Sequence, residues 1–451
     1  MTIDLSTIKF TNGADVVPVS GEDAIVNTGI ANTLDGNDTI TGIGGPFNIY
    51  NPTNGSSAEG IYNTGTFDTG EGKDIITGNG GVSGIVNTGT FNTAEGNDII
   101  SAEGRYYDGI YNTGTFDTAE GNDTITSQGA GAGIANSGTF NTGNGDDVIT
   151  GGGSKSVGIR IGSGSTFDTG NGNDRISGSG PSGIVNLSIT FNTGDGNDTI
   201  EGTAYGYYGL ENNGHINTGN GKDTIIAIGT QSYNGTLSNL STIDTGNGDD
   251  KITASGVIQN DGTIDTGGGD DIITGGSHFD NDGTIDTGGG DDIITAAATL
   301  SNEGTINTGN GNDSIIGTQA LWIETNGTIN TGDGNDTITS NNNIRNDGTI
   351  NTGNGADSII ANGGFDGTGS VFLGNGKDYL KGFGTGNFNG GNNQDTLELT
   401  SGSYTVGISA ATVSFTNSGV IMYTSEFEKL IAGNTTYNFT SLMDGQTIVV
   451  A

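Results

Sequence analysis

The sequence has no cysteine, few basic residues and no long apolar run. Disulfide bonds and thiolate metal sites are therefore excluded. The 12 basic residues face 52 acidic ones, for a net charge of −40. This balance argues against nucleic acid and anionic membranes as partners and points to cations. No apolar stretch approaches the length of a membrane span, so membrane insertion is not expected. The start, MTIDLSTIKFTNGAD, lacks the basic and apolar regions of a secretory signal peptide.

Only 30% of the residues are apolar, and 88 of the 451 are glycine. Low hydrophobicity with high net charge is typical of disordered chains. Here, however, the apolar residues recur at fixed positions, because one phrase is repeated. NDGTIDTGGGDDIIT begins at Asn260 and again at Asn281, 281 − 260 = 21 residues later.

Every copy of the repeat contains the pattern G-x-D-x-[IL]. Its aspartates are Asp38, Asp74, Asp98, Asp123, Asp147, Asp174, Asp198, Asp223, Asp250, Asp271, Asp292, Asp313, Asp336, Asp357 and Asp378. The first interval is 36 residues, those up to Asp250 are 24 to 27, and the later ones are 21 to 23. Periods of this length are typical of solenoids, in which each repeat buries its apolar face against its neighbours.

Three apolar columns predict three short strands in each coil. One column lies two residues after the aspartate, as at Ile76. A second lies seven residues before it, as at Phe67, and changes from Phe to Ile at Ile216. A third lies thirteen residues before it, as at Ile61 and Ile323. The sequence therefore predicts an all-β, right-handed parallel β-solenoid of about fifteen coils of 21–27 residues each.

The ends of the chain depart from the repeat. We expect residues 1–30 to form a degenerate N-terminal cap, residues 31–400 to form the solenoid, and residues 401–451 to form a small antiparallel β cap. A further copy, NGGNNQDTLEL, places Asp395 in the aspartate column.

The turn before each aspartate has the composition of a calcium site. In TGEGKD, which ends at Asp74, glycines let backbone carbonyls face a common space that also holds a carboxylate. Oxygen ligands without His or Cys suit calcium. Stacked coils would place the carboxylates ~4.8 Å apart, where like charges repel by roughly 3–4 kcal/mol per pair. We therefore expect several calcium ions between the coils, and no closed solenoid without them.

The repeat resembles that of the RTX calcium-binding proteins, whose nonapeptide is G-G-x-G-x-D-x-U-x. The resemblance covers roughly residues 31–400, and TGGGDDIIT at Thr266–Thr274 fits eight of the nine positions. It implies that the fifteen aspartates above, together with Asp395, coordinate calcium in a β-roll. Two departures are a Thr in place of the first glycine, as at Thr69, and one motif in each coil instead of two.

The resemblance also implies export by type I secretion, with an uncleaved signal at the C-terminus. The tail NFTSLMDGQTIVVA is similar to such signals. We therefore expect a bacterial protein that is secreted or held at the cell surface, folds on calcium outside the cell, and serves as a structural, surface-layer or adhesive element. Cell-surface glycans and further copies of the chain are the partners left open.

Two alternative functions remain at this point. Thr residues such as Thr66, Thr284 and Thr305 line the outer face of one strand, and this array resembles ice-binding faces. An ice-binding or carbohydrate-binding face is therefore the second hypothesis. A polysaccharide lyase or epimerase is the third, but His215 and His278 lie in different coils and no catalytic constellation is visible. We expect no enzyme. An asparagine column, which includes Asn87, is expected to form an amide ladder.

Overall fold

A computed structural model describes residues 2–17, 24–45, 58–229 and 236–451. The chain is an all-β parallel β-solenoid of about 15 turns, which confirms the predicted fold class. It divides into two compact units, Met1–Asn247 and Gly248–Ala451. Parts of the predicted N-terminal cap, residue 1 and residues 18–23, lie outside the described residues, and the predicted domain boundaries at 30 and 400 stay predictions.

Each coil of the first unit contributes one strand to each of three sheets. Sheet 1 holds Thr2–Asp4, Ala24–Asn27, Ile61–Asn63, Ile85–Asn87, Ile110–Asn112, Ile134–Asn136, Val157–Ile161, Ser182–Asn186, Leu210–Asn212 and Leu237–Asn239. Sheet 2 holds Ile30–Asn32, Thr66–Asp68, Thr90–Asn92, Thr115–Asp117, Thr139–Asn141, Thr166–Asp168, Thr190–Asn192, His215–Asn217 and Thr242–Asp244. Sheet 3 holds Val16–Val17, Thr39–Ile43, Ile75–Gly80, Ile99–Gly104, Thr124–Gly129, Val148–Gly153, Arg175–Gly180, Thr199–Ala204 and Thr224–Gly229. A 3₁₀ turn, Leu5–Thr7, follows the first strand.

The second unit repeats the three-sheet pattern and ends in a cap. Sheet 1 holds Ile258–Asn260, Phe279–Asn281, Thr299–Asn302, Ala320–Ile323, Asn343–Asn346 and Gly364–Asp366. Sheet 2 holds Thr263–Asp265, Thr284–Asp286, Thr305–Asn307, Thr328–Asn330, Thr349–Asn351, Ser370–Phe372 and Gly386–Asn389. Sheet 3 holds Lys251–Ala254, Ile272–Gly275, Ile293–Ala296, Ser314–Gly317, Thr337–Ser340, Ser358–Ala361, Tyr379–Lys381 and Thr396–Leu399. A fourth, three-stranded sheet holds Asn354–Gly355, Asn375–Gly376 and Asn392–Asn393.

The three predicted apolar columns form the core, one from each sheet. In one coil they are Ile110, Phe116 and Ile125, each 0% exposed. Neighbouring coils pair in parallel with identical residues opposite each other, as Phe91 pairs with Phe116. Phe91, Phe116 and Phe140 stack with ring centroids 4.6 and 4.8 Å apart and rings within 3° of parallel. Stacked identical side chains therefore fill the interior along the coil axis.

The coils shorten mainly in sheet 3. Complete sheet 3 strands of the first unit, such as Ile75–Gly80, have six residues, whereas Lys251–Ala254 and the next five strands of the second unit have four. The change from Phe to Ile begins at Ile216, before the shortening. The change of residue type in this column and the shortening of the coils thus begin at different places in the chain.

One member of the third column was assigned wrongly. Leu321, not Ile323, pairs with Leu300, and Ile323 pairs with Asn302 in the asparagine column. The turn after the strand Ala320–Ile323 is two residues longer than in the preceding coil, and the interval from Asp313 to Asp336 is 23 residues. The position thirteen residues before Asp336 therefore falls two residues beyond the true member of the column. Ile161 takes the place of an asparagine in the same way.

The expected amide ladder is confirmed. Nδ2 of Asn87 donates to Oδ1 of Asn112, and Nδ2 of Asn112 donates to Oδ1 of Asn136, both at 2.8 Å. The same side chains donate to backbone carbonyls across the turn between sheets 1 and 2, as Asn87 does to Thr115. All of these amides are buried and hydrogen-bonded. The ladder therefore connects each turn to the next, and the polar groups of these side chains have partners inside the protein.

The C-terminal cap contains the predicted antiparallel strands. These are Gly402–Ser409, Thr412–Asn417, Val420–Ser425, Lys429–Ala432, Thr435–Asn438 and Thr447–Val450, with a 3₁₀ turn at Phe439–Ser441. Two of them also pair in parallel with the solenoid. Val420–Ser425 pairs with sheet 2 and Lys429–Ala432 with sheet 3. The cap therefore completes a further partial coil, which covers the open strand edges.

Shortening one ring of the phenylalanine stack should destabilise the first unit strongly. Phe116→Ala removes a 0% exposed ring that stacks on both sides, and we expect a loss of about 3–5 kcal/mol in unfolding free energy. Urea unfolding followed by circular dichroism in calcium measures it. Ile189→Ala, at a side chain that is 78% exposed, is the control and should change stability by less than ~0.5 kcal/mol. Equal effects of the two changes would contradict the proposed core.

Candidate metal site in the acidic turns

The structure places every predicted site residue at the same point of its coil, directly before a sheet 3 strand. Those in the first unit are Asp38, Asp74, Asp98, Asp123, Asp147, Asp174, Asp198 and Asp223. Those in the second unit are Asp250, Asp271, Asp292, Asp313, Asp336, Asp357, Asp378 and Asp395. All sixteen are at most 2% exposed. Their location is therefore regular, and each unit contains one row of buried carboxyl groups.

Within each row, hydrogen bonds link neighbouring aspartates directly. The backbone N–H of Asp123 donates to Oδ1 of Asp147 at 2.8 Å, and the N–H of Asp147 donates to Oδ1 of Asp174 at 2.9 Å. The same bond recurs along the first unit up to Asp223 and along the second unit from Asp250 to Asp395. One oxygen of each linked carboxylate is thus satisfied by the preceding coil.

The second carboxylate oxygen, Oδ2, is buried and has no hydrogen-bond partner along most of both rows. This holds for Asp38, Asp74, Asp98, Asp123, Asp147, Asp174 and Asp198, and for Asp271, Asp292, Asp313, Asp336, Asp357, Asp378 and Asp395. A buried polar atom without a partner costs free energy, and a buried charge costs more. So regular a set of unsatisfied oxygens indicates a missing ligand rather than a local packing defect.

Burial raises the pKa of carboxyl groups in both rows. Desolvation is the largest cause, and it raises the pKa of Asp74 and Asp98 to about 7 and that of Asp147 to about 8. The charge of neighbouring aspartates adds a smaller increase, as Asp123 and Asp174 do for Asp147. From the sequence we expected repulsion between like charges to be the main cost of the row. In the structure, burial has the larger effect on the pKa of these carboxyl groups.

The threonine that replaces the first glycine of the motif belongs to the site. Thr69, Thr93 and Thr142 are 0% exposed, and each lies five residues before its aspartate. Their hydroxyl groups lower the pKa of that aspartate, although the larger effect of burial outweighs them. The hydroxyl of Thr69 also donates to the backbone carbonyl of Thr93 at 3.3 Å. This departure from the RTX pattern therefore supplies one more oxygen beside the carboxylates of the rows, except at Asp378 and Asp395, where Leu373 and Gly390 take the place of the threonine.

Glycine two residues before the aspartate is required by the stacking. Gly121 has φ +149°, and a Cβ built on it would lie 1.5 Å from the carbonyl oxygen of Gly96. The carbonyl oxygen of Gly96 thus points along the coil axis at Gly121 of the next coil, and the two backbones lie too close together for a side chain to fit between them. Four residues before the aspartate the backbone is also left-handed, and Leu34, Ala94 and Ala119 take φ values of 65°, 58° and 61° there. The backbones of these three turns are therefore strained.

The donors in each turn fit calcium by chemistry. They are a carboxylate oxygen, backbone carbonyls and, in all turns except those of Asp378 and Asp395, a threonine hydroxyl, without nitrogen or sulfur. No group of three or more acidic, His or Cys side chains that could hold a metal occurs among the described residues. This agrees with one carboxylate in each coil, since backbone oxygens would have to supply the remaining ligands.

Two residues at the ends of the rows were not predicted. Asp15 donates its N–H to Oδ1 of Asp38, and its own carboxylate accepts from the N–H of Thr11 at 2.8 Å. Oε2 of Glu428 accepts the N–H of Asp395 at 2.8 Å, which places Glu428 in the aspartate column of the cap. The sequence held a signal for both, because Val17 and Leu430 follow them by two residues as in the repeat.

The outer face of sheet 2 carries the predicted threonine column. Thr284 pairs in register with Thr305, and both are half-buried. The column two residues further on alternates Asp with Asn over part of the first unit, and Asn141 Nδ2 donates to Asp117 Oδ1 at 2.9 Å. This face is therefore regular but charged. His215 and His278 lie in different units, and the prediction that the protein is not an enzyme stays a prediction.

Comparison with known proteins gives a distant structural likeness. No family model matches the sequence, and no curated protein matches it. The chain is similar to the X-ray structure of a hyperactive, Ca²⁺-dependent, β-helical antifreeze protein from an Antarctic bacterium. The identity is 18% over 82% of this chain and 84% of that one, with a TM-score of 0.33. At that score the likeness carries no functional argument, and membership of the RTX family stays a prediction.

No helix in the described part of the chain is long and apolar enough to cross a membrane.

The stability of the calcium-free protein should fall as the pH rises. Burial raises the pKa of Asp123 to about 6 and that of Asp147 to about 8, against an ordinary value of 3.8. The folded state therefore binds more protons than the unfolded state between these values, so their contribution is fully present below pH ~4 and is lost up to pH ~8. Thermal unfolding in calcium-free buffer from pH 4 to 9 measures this. A stability maximum at neutral pH would contradict it.

Proposed function

We propose that the acidic turns bind several calcium ions and that the solenoid depends on them at neutral pH. The observation that supports this is the regular row of buried Oδ2 atoms without a hydrogen-bond partner in each unit. A bare row would have to be protonated or to hold buried negative charge, and both states weaken the fold at the pH where the carboxyl groups ionise. Bound calcium would supply the positive charge that lets the row stay ionised inside the folded protein.

The chain contributes a set of oxygens that is fixed in advance. Oδ1 of each aspartate is held by the N–H of the preceding coil, so the carboxylate has one orientation. That orientation leaves Oδ2 as the oxygen for a cation. We assign the ligand role to the sixteen aspartates, with the buried threonines and the glycine carbonyls as the remaining oxygen donors. Glu428 extends the row into the cap.

The biological role that we infer is structural. The protein would be secreted and would fold where calcium is plentiful, to act as a surface-layer or adhesive element. The stacked core of identical side chains is compatible with a rigid structural element. No catalytic activity is proposed.

Calcium should convert the stripped protein from coil to β-structure. Titration of the calcium-free chain at pH 7.5, followed by far-ultraviolet circular dichroism, measures the transition. We expect β-signal to appear with calcium and to be lost on adding chelator, because the ionised row cannot be buried alone. Unchanged spectra throughout the titration would refute the proposal.

One isosteric substitution distinguishes the binding of calcium by a carboxylate from the effect of burying that side chain. Asp147→Asn keeps an Oδ1 that accepts the N–H of Asp123 but replaces Oδ2 by an uncharged amino group. With calcium at ~100 times its dissociation constant, loss of one site should remove about 2–3 kcal/mol of the stabilisation that calcium gives. In calcium-free buffer at pH 5, where the row is protonated and the chain is folded, the variant should be about as stable as the parent, because both side chains are then uncharged.

The matched control is Asp146→Asn, which removes the same charge one residue earlier. Asp146 is exposed and accepts the backbone N–H of Asn173. Thermal unfolding of the parent and both variants is compared at a low and a high calcium concentration at pH 7.5, and in calcium-free buffer at pH 5. The calcium gain should be smaller only in Asp147→Asn, and an equal gain in all three proteins would count against a ligand role for the row.

Ice binding is the second candidate function, and the observation in its favour is the in-register column of Thr263, Thr284, Thr305 and Thr328. The carboxylates of Asp265 and Asp286 in the adjoining column oppose it, because they would disturb ordered water. If the face binds ice, Thr284→Tyr with Thr305→Tyr should abolish ice shaping and thermal hysteresis while the calcium response stays intact. Absence of ice shaping in the parent protein would remove this candidate.

A further inference from the structure

A second surface of the first unit lies at the corner where sheet 3 leads into sheet 1. Loops of five consecutive coils stack there through backbone hydrogen bonds. Gly131 donates to the carbonyl of Tyr107 at 2.8 Å, Ser154 donates to that of Gly129 at 2.9 Å, and Tyr207 donates to that of Pro181 at 2.7 Å. We call this surface the tyrosine corner; it comprises residues 104–109, 129–133, 153–157, 180–182 and 204–209.

The outermost loops of the tyrosine corner carry exposed aromatic side chains. Tyr106 and Tyr107 are 53% and 58% exposed, and Tyr205 and Tyr207 are 52% and 60% exposed. Tyr205 has a fixed orientation, since its hydroxyl donates to the backbone carbonyl of Ser154 at 2.8 Å. Four strand spacings separate the two loops, which gives a span of ~19 Å. Exposed tyrosines of this kind are enriched at binding surfaces, because their rings bury large areas at low entropic cost.

The three loops between the tyrosine pairs, residues 129–133, 153–157 and 180–182, form a shallow surface that we call the floor. Their residues are mainly Gly, Ala and Ser, as in GAGAG from Gly129 to Gly133. A Cβ on Gly131 would lie 2.5 Å from Oδ1 of Asp108, so the floor is packed and admits no larger side chain there. The ring of Tyr205 extends from its own loop back to Ser154 and so lies over part of this floor. An elongated ligand could therefore lie across the coils from Tyr106 and Tyr107, past the face of Tyr205, to Tyr207, with backbone and serine groups beneath it.

The charge of the tyrosine corner is opposite to that of the molecule. Arg105 and Lys155 are exposed in its loops, so two of the 12 basic residues lie here. The single acid in these loops is Asp108, which is half-buried and accepts the N–H of Ala132 at 2.7 Å. In a chain with a net charge of −40, this local excess of exposed positive charge favours an anionic ligand.

We propose that the tyrosine corner binds an acidic oligosaccharide. The pyranose faces would stack on the tyrosine rings, the hydroxyl groups would bond to the serine and backbone groups of the floor, and the carboxylates would pair with Arg105 and Lys155. The span exceeds a single sugar, so the ligand is a chain. This site is separate from the acidic turns and does not depend on the identity of the ion bound there.

Binding of two oligosaccharides of equal length tests the proposal. The probes are a hyaluronan hexasaccharide and uncharged cellohexaose, measured by isothermal titration calorimetry with the full chain in calcium, where circular dichroism verifies the fold. We expect binding of the hyaluronan fragment that weakens with salt, and binding of cellohexaose that is at least about tenfold weaker. Equal affinity for both probes, or no binding of either, would overturn the proposal.

Variants locate the site. Tyr106→Ala with Tyr107→Ala, and Tyr205→Ala with Tyr207→Ala, should each weaken hyaluronan binding by about tenfold or more. Lys155→Glu should weaken hyaluronan binding without changing cellohexaose binding. Tyr423→Ala, at a tyrosine of the second unit that is 46% exposed, is the matched control and should bind like the parent. Full binding by both double variants would assign the ligand to another surface and overturn the proposal, whatever the calcium experiments give.

Discussion

The burial of one carboxylate in every coil is the constraint on which the rest of the structure depends. Stacking the coils in register puts each aspartate beside the next and removes it from water. The backbone of the preceding coil satisfies one oxygen of each linked carboxylate and leaves the other without a partner along most of both rows. The fold therefore creates a need for positive charge or protons at the same point of each repeat. Packing in the core and charge in the turns are consequences of one repeating register.

Most of the fold could be predicted from the sequence, because a repeat converts spacing into structure. Residues such as Ile110, Phe116 and Ile125 fall at constant distances from the aspartates, and only inward-facing strand positions explain this. The amide ladder through Asn112 and the position of the aspartates before a strand followed from the same register. Constant spacing thus determined which residues face the interior and which coils pair.

What the sequence could not provide depends on local chain length and on burial. Ile323 was misplaced because two additional turn residues shift the count without changing the pattern. Glu428 was missed because the glycine turn is absent before it, although Leu430 keeps the column. The buried threonines looked like departures from a glycine motif, and only the structure places Thr69 beside its carboxylate. The dominance of desolvation over repulsion also required knowledge of how deeply Asp147 is buried.

The central claim is that cations occupy the space beside the unsatisfied oxygens. A crystal structure from a calcium-containing solution at neutral pH, with anomalous diffraction to identify calcium, tests it most directly. We expect calcium peaks in contact with Oδ2 of the aspartates, such as Asp147 and Asp292, in successive coils of each unit. Well-ordered aspartates whose Oδ2 atoms contact only protein or water, with no calcium in the turns, would contradict it.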